Sequence, residues 1–530
     1  MRFYKLLIVF AIASFLLTAC NTDELQDLNI NPQAVTQIDL NFLFTTAELG
    51  IASNGSSGDN RYTDWRTNIG FCSMAIQQLA NAGGGIAPGD KYTENAETNA
   101  CIFDFTYNDQ LKNIAEILKQ TGPGGYDEGA KVNMRNASRI LKVFSMLRVT
   151  DFYGNVPYAE ANKGIEGLFF PAYDQQPAIY ADLFKELEEA AGAMNASLPD
   201  EGFARADIIF EGDVSKWKKW AYSVMLRMAM RVSNVDQGMA NTYVQKAVAG
   251  GVMTSNADNV IVRMSLTPSE WTNQNGISRA FYPGDGGQPS YLSETLINWL
   301  KGADLNSVAD DDPRLMIISG GIADWTAAEW KPTNVNPLEQ KGMPNGKDQS
   351  QLNVIEGTTV DQAKTYSRIN FLMLQDDEPY MIMHAAESHF LLAEAAQRGI
   401  GGVTNAKAHY DAGVKAAMQM YTAYDASLTV SDQEVADYLT TYPYDPSKGE
   451  QMIGEQLWAS LFFNWWEAWT TWRRTGYPIL QPTNYPGNLT NGQIPRRLLY
   501  PTTEQAANPN FEAGSTKPND YLTKLWWDVK

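Results

Sequence analysis

Apolar residues recur at helical spacing through two long parts of the chain and lose that rhythm between them. Ile140, Phe144 and Leu147 line one face of a helix expected from Val132 and stopped by Gly154 and Pro157. Tyr180, Phe184 and Leu187 form the same stripe on a helix expected over Pro177 to Met194, and a shorter helix is expected from Leu40. Leu226 to Arg231 lies in a further helix, for which Asp213 or Ser215 is a fitting N-cap. The periodicity fades from Gly250 to Glu378, where Gly, Pro, Asn and Asp multiply, and returns at Tyr380. His384 to Arg398, a glycine-rich turn at Gly399 to Thr404, and Ala406 to Met418 with Tyr410, Val414 and Ala417 on one face read as helix, turn and helix with alanines at the contact, which is the tetratricopeptide plan. Between Gln451 and Tyr477, the residues Trp458, Leu461, Trp465, Trp469 and Trp472 keep a three-or-four spacing that predicts a buried aromatic face, ended by Gly476-Tyr477-Pro478.

A different apolar run opens the chain. Arg2 and Lys5 precede Leu6 to Leu16, and Leu17-Thr18-Ala19 places small residues before Cys20, the layout of a secretory signal peptide. The run is about half the ~20 residues that a membrane-spanning helix needs. Leu-Thr-Ala-Cys resembles the lipobox of bacterial lipoproteins, which implies cleavage before Cys20 and acylation of its sulfur; the alternative is an ordinary secreted protein. Several acyl chains on one residue hold a soluble domain at a bilayer. Asp23-Glu24 is similar to the acidic export signal of Bacteroidetes surface lipoproteins.

The formal net charge is −20, and removal of Arg2 and Lys5 with the leader takes it to −22. An acidic chain without basic runs is a poor partner for phosphate backbones, so nucleic acid is disfavoured. Hydrophobic content of 44% is ample for a core, and 14 Trp leave rings for a binding surface. Cys72 and Cys101 either pair in an oxidising compartment or stay as free thiols.

Arg61, Tyr62, Asp64, Trp65 and Arg66 crowd planar, charged and hydrogen-bonding groups into one short stretch behind the polar loop Asn54 to Asn60. Such a mixture suits a sugar or a peptide, rings stacking on apolar faces while Arg and Asp read polar groups; the alternative is a helix N-terminus packing its aromatics inward. Trp271, Asn273, Tyr282, Trp325 and Trp330 lie in the irregular stretch, where aromatics on loops held by a scaffold make binding sites and others seal loops to helices. Trp217 and Trp220 share a face expected in the core. Arg227 and Arg231 are expected to pair with carboxylates of a neighbouring helix, as are Glu467 and Arg473-Arg474 in ion pairs. Asp151 and Asn155 are expected to satisfy turn backbone, with Gly154 at positive φ. Asp310-Asp311-Asp312 reads as a solvated cap or, without EF-hand spacing, a calcium site.

No recognised catalytic set is present. His-Glu-x-x-His and Gly-x-Ser-x-Gly are absent, His384 and His389 stand five apart and do not share a helix face, and Gly342 to Asp348 lacks the spacing and the Ser or Thr of a phosphate loop. No metal or cofactor is expected.

Five separated stretches resemble one family. Ala137-Ser138-Arg139-Ile140-Leu141-Lys142 with Thr150 to Tyr158, Asp213 to Arg231, Asp312-Pro313-Arg314, Ala393 to Gly399, and Ile494 to Pro501 as a closing strand-like segment are similar to the SusD/RagB outer-membrane nutrient-binding lipoproteins. The resemblance implies a mostly α fold, a right-handed stack of tetratricopeptide-like helix pairs with an irregular loop-rich ligand-binding lobe. The expected organisation is a signal peptide over 1–19, a lipidated tether over 20–39, scaffold over 40–250, ligand lobe over 251–378, scaffold over 379–480, and a packed C-terminal segment over 481–530. It also implies an outer-membrane lipoprotein facing the exterior, a SusC-like TonB-dependent transporter as partner, and capture of a glycan oligomer. A RagB-like peptide ligand is the alternative, and a glycoside hydrolase a more distant one.

Overall fold

The helices of the scaffold form where the apolar stripes predict them, because each buries its stripe against a neighbour. A computed structural model describes residues 37–52, 61–83, 88–198, 200, 202–267, 273–281, 290–323 and 332–530. The scaffold helices are α1 (Leu40–Ile51), α2 (Ala96–Phe105), α3 (Leu111–Gln120), α4 (Val132–Tyr153), α5 (Gln176–Ala193), α6 (Val214–Val232), α7 (Gln237–Gly250), α8 (Ala385–Gln397), α9 (Ala406–Gln419), α10 (Asp432–Thr441), α11 (Gly449–Ser460) and α12 (Trp465–Thr475). Helices α4 and α5, α6 and α7, α8 and α9, and α11 and α12 pack as sequential pairs, and α6 also meets α5 and α8. The fold is mostly helical, with paired helices and a loop-rich lobe. Asp213 caps α6 by accepting from the amides of Ser215 and Lys216 at 2.9 and 3.3 Å, which settles the choice of N-cap. In the α8–α9 pair the close approach comes from Gly413, where a Cβ would lie 2.7 Å from Phe390.

The sheets are small and tie loops to helices. Strands β1 (Leu79–Ala80) and β5 (Tyr291–Leu292), β2 (Val156–Pro157) and β3 (Tyr173–Asp174), and β4 (Val260–Val262) and β9 (Tyr380–Met383) pair antiparallel. In a three-stranded sheet, β6 (Ser319–Ala323) lies between β7 (Pro332–Asn334) and β8 (Arg368–Ile369). Tyr380 therefore begins a strand where the periodicity suggested helix, since β9 hydrogen-bonds to β4. Helix α8 starts only at Ala385, with the His384 ring accepting from the Glu387 amide at 3.1 Å. The pairing of β4 with β9 also pins the two ends of the lobe together.

Trp217 and Trp220 are fully buried, as the shared face implied, and Trp217 donates to Asp207 at 2.7 Å. The aromatic stripe near the C-terminal end is buried throughout, yet it belongs to two helices: the chain breaks after Ser460, where Phe463 takes φ +75°. Asn68 fills the break, donating to the Phe463 carbonyl at 2.8 Å and accepting from the Trp466 amide at 3.0 Å. Ile494 to Pro501 joins no sheet among the described residues and bends at Arg497; Arg496 and Leu498 instead donate their amides to the carbonyls of Tyr521 and Phe152. Cys72 and Cys101 are free thiols, and burial pushes the Cys101 thiol up to about 12.

A buried ionic cluster joins the helices. Arg227 grips Glu387 with two hydrogen bonds of 2.6 and 2.7 Å, and Arg231 bridges Asp151 at 2.8 Å and Glu467. Arg474 holds Glu394 at 2.5 and 2.7 Å, with Arg398 on the same carboxylate at 2.8 Å. Arg473 departs from the expected ion pair: it lies 3.8 Å from the Trp469 ring and donates to the carbonyls of Asp151 and Arg496 at 2.8 Å each. Asp151 likewise is not a turn residue, because Tyr180 and Trp527 donate to its carboxylate at 2.5 and 2.8 Å. Asn155 does satisfy backbone, but of Gln176 and Gly514 rather than of its own turn. Gly154 has φ +89°, and a Cβ there would lie 2.2 Å from Thr516. Asp312 is buried against Arg314 at 2.6 Å and is no solvated cap, whereas Asp310 caps the amides of Ala303 and Asp304. Among the described residues no group of His, Cys, Asp and Glu is arranged to hold a metal ion, and no helix is long and apolar enough to cross a membrane.

Burial works against the charge on Arg231, and Glu467 and Asp151 together outweigh it, so its pKa lies above the usual value. Arg231→Met leaves Asp151 buried without its cation and Glu467 with only Arg227 at 3.8 Å, and is expected to lower unfolding stability by about 3–5 kcal/mol, read from the denaturation midpoint. Glu394 is pushed up by burial but pulled down further by Arg474 and Arg398, to about 2 from the ordinary 4.5. A depressed carboxylate stabilises fully above its unfolded value and loses that contribution as pH falls through the folded one. Glu394→Gln is therefore expected to melt well below the parent protein at neutral pH, with the gap closing as pH drops from 4.5 toward 2.

Candidate functional site

The segment that follows residue 60 enters an 11-residue π-helix, Thr63–Ser73. Its wide turn is rare in helices and recurs at functional sites. Tyr62 and Trp65 are both half-buried and stack with ring centroids 5.6 Å apart and planes at 18°. The guanidinium of Arg66 lies 4.6 Å and that of Arg61 5.0 Å from the centre of the Tyr62 ring, so four of the expected side chains form one aromatic and cationic patch. Arg66 also bridges Glu97 at 2.8 Å, which holds the guanidinium against α2.

Asp64 has a different place. It is fully buried, accepts from Asn68 at 2.5 Å and takes the Tyr380 hydroxyl on both oxygens at 3.1 Å, so it anchors the π-helix to β9 rather than facing solvent. The two aromatics are half-buried, and the side chain that turns fully inward is Asp64.

The irregular lobe meets the π-helix through the helix Gly276–Phe281, which packs on it. Asn273, half-exposed, begins that connection, its carbonyl accepting from the Ser265 amide at 2.9 Å. Asn275 is locked by donating to the Glu378 carbonyl at 3.1 Å. Burial, followed by Asp377 and Asp425, raises the Glu378 carboxyl to about 7, and no sequence motif marked it. Trp271, Tyr282, Trp325 and Trp330 lie outside the described residues, as do Cys20, the leader 1–19 and the loop Asn54 to Asn60.

Further along the lobe, a cleft of about 480 Å³ opens beside the three-stranded sheet. Met316, Ile369, Phe371 and Leu372 give it apolar walls, and Asn370 and Arg368 supply polar groups. Arg368 is buried, which lowers its pKa to about 10, and it donates to the Tyr291 hydroxyl at 2.9 Å. Tyr291 stands on β5, whose partner β1 follows the π-helix, so one connected path of backbone and side chains runs from the aromatic patch to this cleft. Arg368 carried no signal in the sequence, because only the approach of β8 to β5, where the Leu292 amide donates to the Ser367 carbonyl at 3.0 Å, brings it to Tyr291. Apolar walls with a few fixed polar groups suit an amphipathic ligand such as a sugar ring.

The family model described as starch-binding and associating with the outer membrane, SusD-like, matches residues 32–501. A solved chitin-binding protein is 29% identical, with a TM-score of 0.76 over 93% of this chain and 100% of that one. A SusD homologue from Bacteroides vulgatus is 25% identical, with a TM-score of 0.72 over 92% of this chain and 97% of the other. A chitin-binding SusD homologue from Flavobacterium johnsoniae shares the fold at 23% identity, with a TM-score of 0.70 over 93% and 99%. No curated protein matches the sequence. With a family model spanning nearly the whole of its length and helix pairs that superpose on solved members, this chain belongs to the SusD-like family.

Proposed function

We propose that the protein is a surface lipoprotein of the outer membrane that captures a glycan oligomer and delivers it to a SusC-like TonB-dependent transporter. The observation that carries this reading is the patch of Tyr62, Trp65, Arg61 and Arg66 at the edge of a SusD-like scaffold. Half-buried rings offer the face on which a pyranose stacks, and guanidinium N–H groups donate to its hydroxyls. The 29% identical relative is a chitin-binding protein, which favours a glycan over a peptide. Asn273 and the loop aromatics Trp271, Tyr282, Trp325 and Trp330 complete the proposed ligand face, and the lipid on Cys20 tethers it beside the transporter at high effective concentration.

Binding alone is required of this site. The ligand is held by stacking and hydrogen bonds until the transporter takes it, and no residue breaks a bond. Isothermal titration of the purified protein against chito- and malto-oligosaccharides and a peptide pool is expected to give heat with an oligosaccharide; saturable binding of peptides alone, or turnover of a bound glycan, overturns the reading. Trp65→Ala is expected to weaken that binding about tenfold or more, on the order of 1.4 kcal/mol, with little change in melting temperature. Asp64→Asn is expected to do the reverse, lowering the melting temperature by loosening the contact with Tyr380 while ligand affinity per folded molecule holds.

A further inference from the structure

A second cleft lies at the seam where the lobe residues around Trp299 and Asp310 meet α9, α10 and α11, with a volume of about 340 Å³. Tyr438 and Tyr442, one turn apart, bring half-exposed rings 5.2 Å from each other at 45°. Trp299, also half-exposed, stands edge-on to the buried Trp458 at 5.8 Å. An adjoining cleft of about 340 Å³ shares Tyr438, Tyr442, Asp310 and Asp312 with the first, so the tyrosine pair forms a wall between two hollows.

The polar groups around those rings are already held in place. Gln456 donates to the Tyr438 hydroxyl at 2.8 Å and accepts from Arg314 at 2.9 Å. The Tyr442 hydroxyl donates to Asp310 at 3.1 Å, and Glu455 accepts from Gln451 at 2.7 Å. Arg314 is fully buried and committed to Asp312 at 2.6 Å, so the nearest cation is neutralised. What remains at the rim is acidic: Glu455 on one side of the wall, Asp311, Glu434 and Asp437 on the other, and Asp310 on both. Half-exposed rings with fixed amide and hydroxyl groups favour a flat amphipathic ring, and the surplus of carboxylates opposes an anionic one. The volume falls within the ~300–1,000 Å³ range of small-molecule sites.

We infer that this cleft is a second carbohydrate subsite, taking a neutral pyranose unit against Tyr438, Tyr442 and Trp299, apart from the face built on Trp65. The inference rests on the protein's being a glycan binder, and it adds a foothold on the helical scaffold. A glycan chain engaged at two places dissociates more slowly than one held at either alone. None of the residues that line this cleft belongs to the Arg61 to Arg66 patch, so the two sites can be removed independently.

The test uses the full chain and three probes: chitohexaose, maltohexaose and hexagalacturonate, titrated into the parent protein, Trp65→Ala, Tyr438→Ala and the double variant. Residual binding of a neutral hexasaccharide to Trp65→Ala is expected, with a further tenfold or greater loss when Tyr438→Ala is added, and with no binding of the acidic probe at the cleft. Tyr442→Phe, which keeps the ring and removes one hydroxyl, is expected to retain most of the affinity, separating ligand contact from folding. Unchanged residual binding in the double variant overturns the subsite and leaves the Trp65 face standing, and so does loss of all binding in Trp65→Ala alone. If the parent protein binds neither neutral hexasaccharide, the subsite falls together with the reading it rests on.

Discussion

Everything else in the scaffold depends on a cluster of buried ions. Arg227, Arg231, Arg398 and Arg474 face Asp151, Glu387, Glu394 and Glu467, so the charges cancel where α4, α6, α8 and α12 converge. Desolvating any one of these groups alone costs several kcal/mol, and only the assembled geometry offsets it. That asymmetry makes the cluster a register device: a helix shifted by one turn strands a charge. Arg473 extends it by another route, its guanidinium stacked on Trp469 and 4.9 Å from Trp527, and burial lowers its pKa to about 9, more than Asp528 and Asp151 raise it. Trp527, donating to Asp151, brings the C-terminal segment into the same knot.

From this knot the structure reaches the π-helix through polar side chains rather than through more core. Asn68 ties the π-helix to the break between α11 and α12, and Asp64 ties it to β9 through Tyr380. Gln78 accepts from the Trp465 ring at 2.8 Å, and Trp458 donates to the Ile76 carbonyl at 2.9 Å, clamping the turn that leads into β1. Buried amides that use both donor and acceptor leave little freedom to the backbone they hold. A recognition patch needs that rigidity, since rings that move lose the stacking geometry they provide.

Much of the helical scaffold was legible in advance because helical period and burial coincide there. Trp217, Trp220, Tyr410 and Val414 sit where their spacing puts them, and the arginines at 227 and 231, four apart on one face, find acids on neighbouring helices. The segment 61–66 was legible only as a composition. Nothing local distinguishes Asp64, which turns inward to Tyr380, from Arg61 and Arg66, which stack on Tyr62, because the sorting is done by a strand more than three hundred residues away. The π-helical winding was invisible for the same reason, and so were Arg368 and Glu378, whose surroundings are assembled from distant loops.

The sequence by itself determined the family, the helix faces and the residue chemistry on offer, since those follow from short-range periodicity and from motifs that carry their own turns. Tertiary structure decided where the long aromatic stripe breaks, why Tyr380 starts a strand, and which partners the charged residues take. The physical reason is common to all three. A backbone group or buried charge is satisfied by whichever partner packing brings within about 3 Å, and that partner is set by the whole fold. Asn68 shows it most plainly: an ordinary polar residue in sequence, it holds the break between two helices nearly four hundred residues on.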